Sequence, residues 1–238
     1  MPALSSVQAI VFDVFGTVVD WRSSIIRDLS AFGAQRGITV DWTRFADDCR
    51  ALYQPAMDEV RSGRRPWTIL DVLDRESLVV LLGRHGIEGL AETDIHHLTR
   101  AWHRLDPWPD ALPGLARLKT RYIIGPMSNG NIGLLTRIAK HAKLLWDVIL
   151  RAETARAYKP LPESYIRNAA LLNLEPAQVM LVAAHNSDLK AAQAAGLATA
   201  FVARPTEHGP GQTKDLVPSG DWDVIAVDFS DLAAKLGS

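Results

Sequence analysis

The clearest pattern in the chain is at its start. Val7 to Asp20 reads VQAIVFDVFGTVVD, an apolar and β-branched run that breaks at Asp13 and turns at Gly16. Such a run suits a strand buried on both faces, and Gly16 gives the backbone the freedom to turn. The period then changes: Trp21 to about Gly37 carries Ile25, Ile26, Leu29, Phe32 and Ala34 at helical spacing. Helical spacing continues from Asp41 to about Leu105 through Phe45, Leu52, Met57, Leu73, Leu78, Leu81, Leu90 and Leu98, and no strand run interrupts it. A helical block of this length, placed between one strand and a later series of strands, predicts an inserted domain and not a regular strand-helix repeat.

The turn-rich segment Asp106-Pro107-Trp108-Pro109-Asp110 is expected to bring the chain back to the first domain. Beyond it strands and helices alternate. The spacing predicts helices over 112–120, 132–142, 163–172, 189–195 and 231–236, and strands over 122–127, 146–150, 179–183, 197–202 and, at an edge, 224–227. This alternation calls for an α/β fold with a doubly wound parallel sheet and right-handed crossovers. The expected organisation is a Rossmann-like core of residues 1–20 and 106–238, with a helical cap domain of residues 21–105 inserted after the first strand. The Gly- and Pro-rich stretch 204–220 is predicted to be a long surface loop.

Composition narrows the class without naming a function. The 238 residues suffice for a substantial core, and 47% hydrophobic with 22% charged residues is a globular balance. With 26 basic against 27 acidic residues the net charge is -1, and no basic run or stripe invites nucleic acid or an anionic membrane. Cys49 is the only cysteine, so no internal disulfide or zinc-ribbon chemistry is available, and a reducing compartment fits. The opening residues have no basic n-region, and Asp13 interrupts the apolar run too early for a signal segment or a membrane span. A cytoplasmic location and no membrane partner are therefore expected.

Four strand ends of the alternating pattern carry polar residues: Asp13, then Ser128 with Asn129, then Lys159 in Ala157-Tyr158-Lys159-Pro160, then the segment from His185 to Asp188. Open α/β sheets bind ligands in the crevice at the carboxyl ends of their strands, so the four are expected to meet there. Taken singly each has an ordinary explanation: helix caps for Ser128 and Asp188, a solvated lysine for Lys159.

In this order the set resembles the haloacid dehalogenase superfamily, with matches at Asp13-Val14-Phe15-Gly16-Thr17, Ser128-Asn129-Gly130, Lys159-Pro160 and the stretch from Asp188 to Gly196. The resemblance spans essentially the whole chain. It implies an Asp13 nucleophile in a turn that also holds Thr17, and a cap domain after the first motif. Most members are magnesium-dependent phosphatases, in which a second Asp follows the nucleophile by two residues and a further acid stands four residues before the Asp188 position. Here those positions hold Phe15 and Ala184. Magnesium would lack most of its oxygen ligands and a leaving phosphate ester its proton donor, so no metal and no other cofactor is expected.

The same departures are similar to the L-2-haloacid dehalogenase branch. Tyr165 follows Lys159 at the spacing of that branch, and Arg50 falls early in the cap, where the branch has its substrate-facing arginine. The resemblance thus implies hydrolysis of short L-2-haloacids, fluoroacetate included in some relatives, to 2-hydroxyacids. Asp13 would displace halide and form an enzyme ester that water then opens. Lys159 would keep Asp13 ionised. Ser128 would assist backbone N–H groups in holding the substrate carboxylate, and Arg50, with Asn129, would meet the leaving halide. One departure remains: Ala183-Ala184-His185-Asn186 replaces the usual Ser-Ser-Asn form. It resembles a dehalogenase subgroup that also shares the Glu207 to Pro210 loop, and His185 is expected to orient or deprotonate the water. Cap residues such as Tyr53, Trp67 or Trp102 are expected to set pocket size, and since the branch is often dimeric a homodimer is the implied assembly. The competing expectation is a phosphatase of the same superfamily acting on a small phosphorylated metabolite.

Overall fold

A computed structural model describes residues 4–238. Its centre is a six-stranded parallel sheet in the order β5-β4-β1-β6-β7-β8, built from β1 (Ala9–Phe12), β4 (Ile123–Ser128), β5 (Leu150–Arg151), β6 (Val179–Ala183), β7 (Ala198–Val202) and β8 (Val224–Ala226). β1 lies between β4 and β6, in register through Ile10 with Ile124 on one side and Met180 on the other. Every β1 residue is buried, and its side chains alternate: Ile10 and Phe12 enter one hydrophobic cluster, Ala9 and Val11 the other. That two-sided burial is why the run reads as unbroken apolar sequence. The strand order reverses at β1, so the carboxyl ends of β1, β4 and β6 border the switch-point crevice of a doubly wound sheet.

Between β1 and β4 the chain leaves the sheet. A short antiparallel ribbon of β2 (Val19–Asp20) and β3 (Asp106–Pro107) marks departure and return. The turn-rich return segment thus also contributes a two-residue strand. Between them lie the helices α1 (Trp21–Arg36), α2 (Trp42–Arg61), α3 (Leu70–Arg84) and α4 (Glu92–Thr99). Asp20 caps α1 by accepting from the Ser23 N–H at 3.0 Å, and α1 stops at Gly37, whose φ of 68° is left-handed. Asp41 caps α2 in the same way, accepting from Arg44 N–H at 2.9 Å. After β3 come α5 (Ala111–Leu118), α6 (Ile132–Ala142), α7 (Ala152–Ala155), α8 (Pro162–Ala170), α9 (Asn186–Ala194) and α10 (Phe229–Lys235). No helix among the described residues is long and apolar enough to cross a membrane.

Two expectations need correction. The strand expected over 146–150 is confined to β5, because only Leu150 and Arg151 pair with β4. The stretch 204–220 is not wholly a surface loop, because Arg204 and Glu207 are buried. Arg204 forks onto Asp110 at 2.8 and 2.9 Å and donates to the Thr17 carbonyl at 2.9 Å, which pins the loop beside the end of β1.

Candidate active site

The turn after β1 sets the position of Asp13. Its backbone N–H donates to the Val182 carbonyl at 3.0 Å, continuing the pairing with β6, and Gly16 then turns the chain at a φ of +87°. Thr17 completes the turn: its hydroxyl donates to Asp13 Oδ2 at 3.0 Å and accepts the Ala184 N–H at 3.0 Å. One hydroxyl thereby ties the carboxylate to the end of β6.

Two cations face Asp13. Lys159 Nζ lies 3.5 Å from Oδ1, and His185 Nδ1 lies 3.2 Å from Oδ2. Lys159 is held by a 2.6 Å bond to Asp188 Oδ2, while the Tyr165 hydroxyl donates to Asp188 Oδ1 at 2.6 Å. Burial alone would push the Asp13 carboxyl upward. The Lys159 charge, together with the His185 and Thr17 hydrogen bonds, outweighs it and holds Asp13 well below the usual carboxylate range. Burial disfavours the Lys159 ammonium as well, yet Asp188 and Asp13 raise it above its ordinary value. Asp13 Oδ2 is thus occupied by two donors, whereas Oδ1 has only the long contact to Lys159.

A cavity of about 960 Å³ opens over this group, walled by Asp13, Phe15, Arg50, Tyr53, Asn129, Lys159, Tyr165, His185 and Asp188 among others. Phe15 packs edge-on against Tyr53 and Trp102, with ring centroids 6.2 and 6.0 Å away. An aromatic wall therefore stands where the phosphatases place an acid. The guanidinium of Arg50 lies over Tyr53 at 4.5 Å and Trp21 at 5.3 Å, and its Nη1 is buried with no hydrogen-bond partner among the described residues. Of the expected size-setting residues Tyr53 lines the cavity; Trp102 backs Phe15, and Trp67 packs on Tyr158 with ring centroids 4.8 Å apart.

Some expected residues meet the cavity differently from the sequence expectation. Ser128 is buried outside its wall, and its hydroxyl accepts the Gly130 N–H at 3.3 Å, so it shapes the entry to α6. Asn129 lines the cavity, but its Oδ1 accepts the Lys159 N–H at 2.8 Å. The Tyr165 hydroxyl is committed to Asp188, whose other oxygen holds Lys159.

Glu207 has no assigned part in the sequence expectations. It is buried, and its Oε2 lies 2.8 Å from His185 Nε2 while its Oε1 accepts the Trp21 indole N–H at 3.0 Å. His185 thus bridges two carboxylates. Burial works against its charged form, but the Glu207 charge and the Asp13 hydrogen bond raise it well above the ordinary imidazole value. The other unanticipated wall comes from α2, whose Gln54, Asp58 and Arg61 recur with Arg50 at helical spacing. That periodicity was legible; which helix face meets the core was not.

A divalent cation does not fit this donor set. Phe15 and Ala184 stand at two of the superfamily's acidic positions, and Asp13 already faces Lys159 and His185. Among the described residues no three His, Cys, Asp or Glu side chains converge as a metal group.

Comparisons with known proteins bear on the family and the fold. The model of a hydrolase family, haloacid dehalogenase-like hydrolase, matches residues 7–196. The (S)-2-haloacid dehalogenase 4A of Burkholderia cepacia is 30% identical over 244 residues, covering 94% of this chain and 96% of that protein, and the (S)-2-haloacid dehalogenase of Xanthobacter autotrophicus is 30% identical over 210 residues, covering 85% and 77%. Among solved structures, the defluorinating L-2-haloacid dehalogenase Rha0230 is 51% identical with a TM-score of 0.96, covering 98% of this chain and 96% of that one. The L-2-haloacid dehalogenase PA0810 is 49% identical with a TM-score of 0.95, covering 97% and 99%.

Proposed function

Because the chain belongs to the haloacid dehalogenase-like hydrolases, we propose that it hydrolyses short L-2-haloacids to 2-hydroxyacids through an ester on Asp13. The observation that carries this reading is the state of Asp13: buried, held ionised, with one oxygen engaged by Thr17 and His185 and the other open toward a cavity. A carboxylate so prepared is a nucleophile for an adjacent carbon. Oδ1 would attack in line, inverting the substrate carbon as halide leaves. The unpartnered Nη1 of Arg50 is a buried N–H donor that suits a departing halide. Phe15 and Tyr53 supply an apolar wall against which the carbon-halogen bond loses water. Likeness to the defluorinating Rha0230 extends the proposed substrates to fluoroacetate. Water then opens the ester and regenerates Asp13. Catalysis proceeds without a metal, since the donor set does not fit one.

The test is halide release from the two enantiomers of 2-chloropropionate and 2-bromopropionate and from fluoroacetate, with and without a chelator, beside phosphate release from a generic phosphomonoester. Halide from the S enantiomer, insensitive to chelator and accompanied by the inverted hydroxyacid, is expected. Chelator-sensitive phosphate release without halide would replace the proposal with the phosphatase alternative. In a single turnover in ¹⁸O-labelled water, the label should enter Asp13 and not the product.

A further inference from the structure

Resting on the Asp13 ester proposed above, we infer that Glu207 is a positioning residue that keeps His185 a two-fold N–H donor, so that His185 and Thr17 together bind the negative charge that develops on Asp13 Oδ2 as the ester is hydrolysed.

The hydrogen-bond inventory supports this first. An ionised carboxylate only accepts, and His185 touches a carboxylate oxygen with each ring nitrogen, Asp13 Oδ2 at 3.2 Å and Glu207 Oε2 at 2.8 Å. Both contacts are satisfied at once only by the imidazolium. No lone pair is then left in the resting enzyme to take a proton from water, so of the two expected roles, orienting or deprotonating the water, the second gives way to a donor role. The Nδ1 contact falls on the oxygen that matters. If Oδ1 carries the substrate carbon, Oδ2 becomes the ester carbonyl oxygen, already contacted by the Thr17 hydroxyl at 3.0 Å and by His185 Nδ1. Two fixed donors on a carbonyl oxygen form an oxyanion hole.

The turn after β1 is independently fitted to Glu207. A Cβ on Gly16 would lie 2.1 Å from Glu207 Oε1, so no side chain can occupy that position with the carboxylate where it is. The Trp21 indole N–H fixes the same oxygen at 3.0 Å. Charged and titratable groups surround the pair from several elements: Asp13 and Lys159 at the sheet edge, Arg50 from α2 with Nη2 3.9 Å from Glu207 Oε1, and His208 from the loop at 3.6 Å. Burial would raise the Glu207 carboxyl, but His185, Arg50 and His208 lower it, which keeps it ionised as the partner of a cation.

The step balances as follows. Water oxygen bonds to Asp13 Cγ and the carbonyl electron pair moves to Oδ2, where His185 Nδ1–H and Thr17 Oγ1–H receive it. Collapse breaks the Cγ–Oδ1 bond, so the hydroxyacid leaves with that oxygen. One proton of water goes to the departing oxygen and the other to solvent. His185 keeps its proton throughout.

The experiment compares the full chain with Glu207→Gln, using excess (S)-2-chloropropionate, and follows halide and the intact mass of the protein. The variant should release one halide per chain at close to the wild-type rate and then accumulate the Asp13 adduct, with ester hydrolysis slowed about 10²-fold or more at pH 8. Without Glu207 the imidazolium is lost as pH rises through about 6.5, so hydrolysis in the variant should recover below that pH. An unchanged hydrolysis rate overturns the inference. So does a rate that rises with pH over this window, the signature of a base. Absence of any halide release by the wild type, or single-turnover ¹⁸O entering the hydroxyacid and not Asp13, overturns the ester proposal instead, which separates the two failures. Should the variant not fold, nitrogen NMR of wild-type His185, assigned by its loss in His185→Asn, decides the matter at pH 8: two protonated ring nitrogens support the inference, one overturns it.

Discussion

Lys159 is a buried ammonium between two carboxylates, 2.6 Å from Asp188 and 3.5 Å from Asp13. Replacing it with a neutral residue would leave both acids buried with one fewer opposite charge, and a carboxylate in that position binds a proton more tightly. Lys159→Met should therefore make the halide burst pH-dependent, falling as pH is lowered through a raised Asp13 value that the wild type keeps far below neutral. Stopped-flow halide release between pH 4 and 9 reads this directly, and a burst rate independent of pH in the variant would contradict it. Breaking a buried ion pair from one side also costs stability, about 3–5 kcal/mol, visible in a urea melt. Lysine as a residue type says little from sequence, because most lysines are solvated; position after a strand end and the order of its partners made this one legible.

At the scale of elements, two devices set the cavity. The turn after β1 is one: Gly16→Ala adds strain at a positive φ and drives a methyl group into the Glu207 carboxylate. A stability loss of about 1–3 kcal/mol is expected, with accumulation of the Asp13 adduct like that in Glu207→Gln. Denaturant melts and adduct mass check the two parts separately. The second device is α2, which lays Arg50, Gln54, Asp58 and Arg61 along the cavity. Arg61 Nη1 donates to the Lys159 carbonyl at 2.5 Å, tying the helix to the segment that carries the lysine. Arg61→Ala removes a charge-assisted bond worth about 1 kcal/mol. A roughly fivefold lower kcat/KM for a 2-haloacid and faster hydrogen exchange in α2 are expected, and unchanged exchange would show that the tie does not hold the helix. Helical periodicity predicted α6 over Ile132–Ala142 and pairing period predicted β6 over Val179–Ala183 to the residue. The two-residue strands β2 and β3 were not readable as such, because a pair of residues carries no period, and β5 is only two residues where a strand over 146–150 was expected.

For the whole molecule, the buried site couples folding to pH in two directions. Asp13, Asp110 and Glu207 all lie below their ordinary values in the folded chain, despite burial. Each contributes stability that is present above about pH 4 and is lost as pH falls through its folded value. His185 is raised, so its contribution is fully present below about pH 6.5 and is lost as pH rises through the folded value. Urea midpoints should accordingly peak between about pH 5 and 8, fall on the acid side with proton uptake, and decline more gently on the alkaline side. His185→Asn should flatten the alkaline decline, and an alkaline slope equal to wild type would show that His185 is not its source.

The sequence by itself determined that this is a parallel α/β sheet with helices inserted after the first strand, and that Asp13, Asn129, Lys159 and Asp188 share one crevice. Strand burial writes apolar runs into the chain, and open sheets gather their strand ends on one edge. It also showed the departures at Phe15 and Ala184, since residue identity at a motif position needs no coordinates. Only the tertiary structure decided which oxygen of Asp13 is open, that Ser128 stands behind the wall, and that Glu207 reaches His185. Glu207 lies in an irregular loop where no period indicates which way a side chain faces. Its contact depends on Arg204 anchoring that loop and on the missing Cβ of Gly16, nearly two hundred residues earlier, which is a matter of packing between distant segments and not of local pattern.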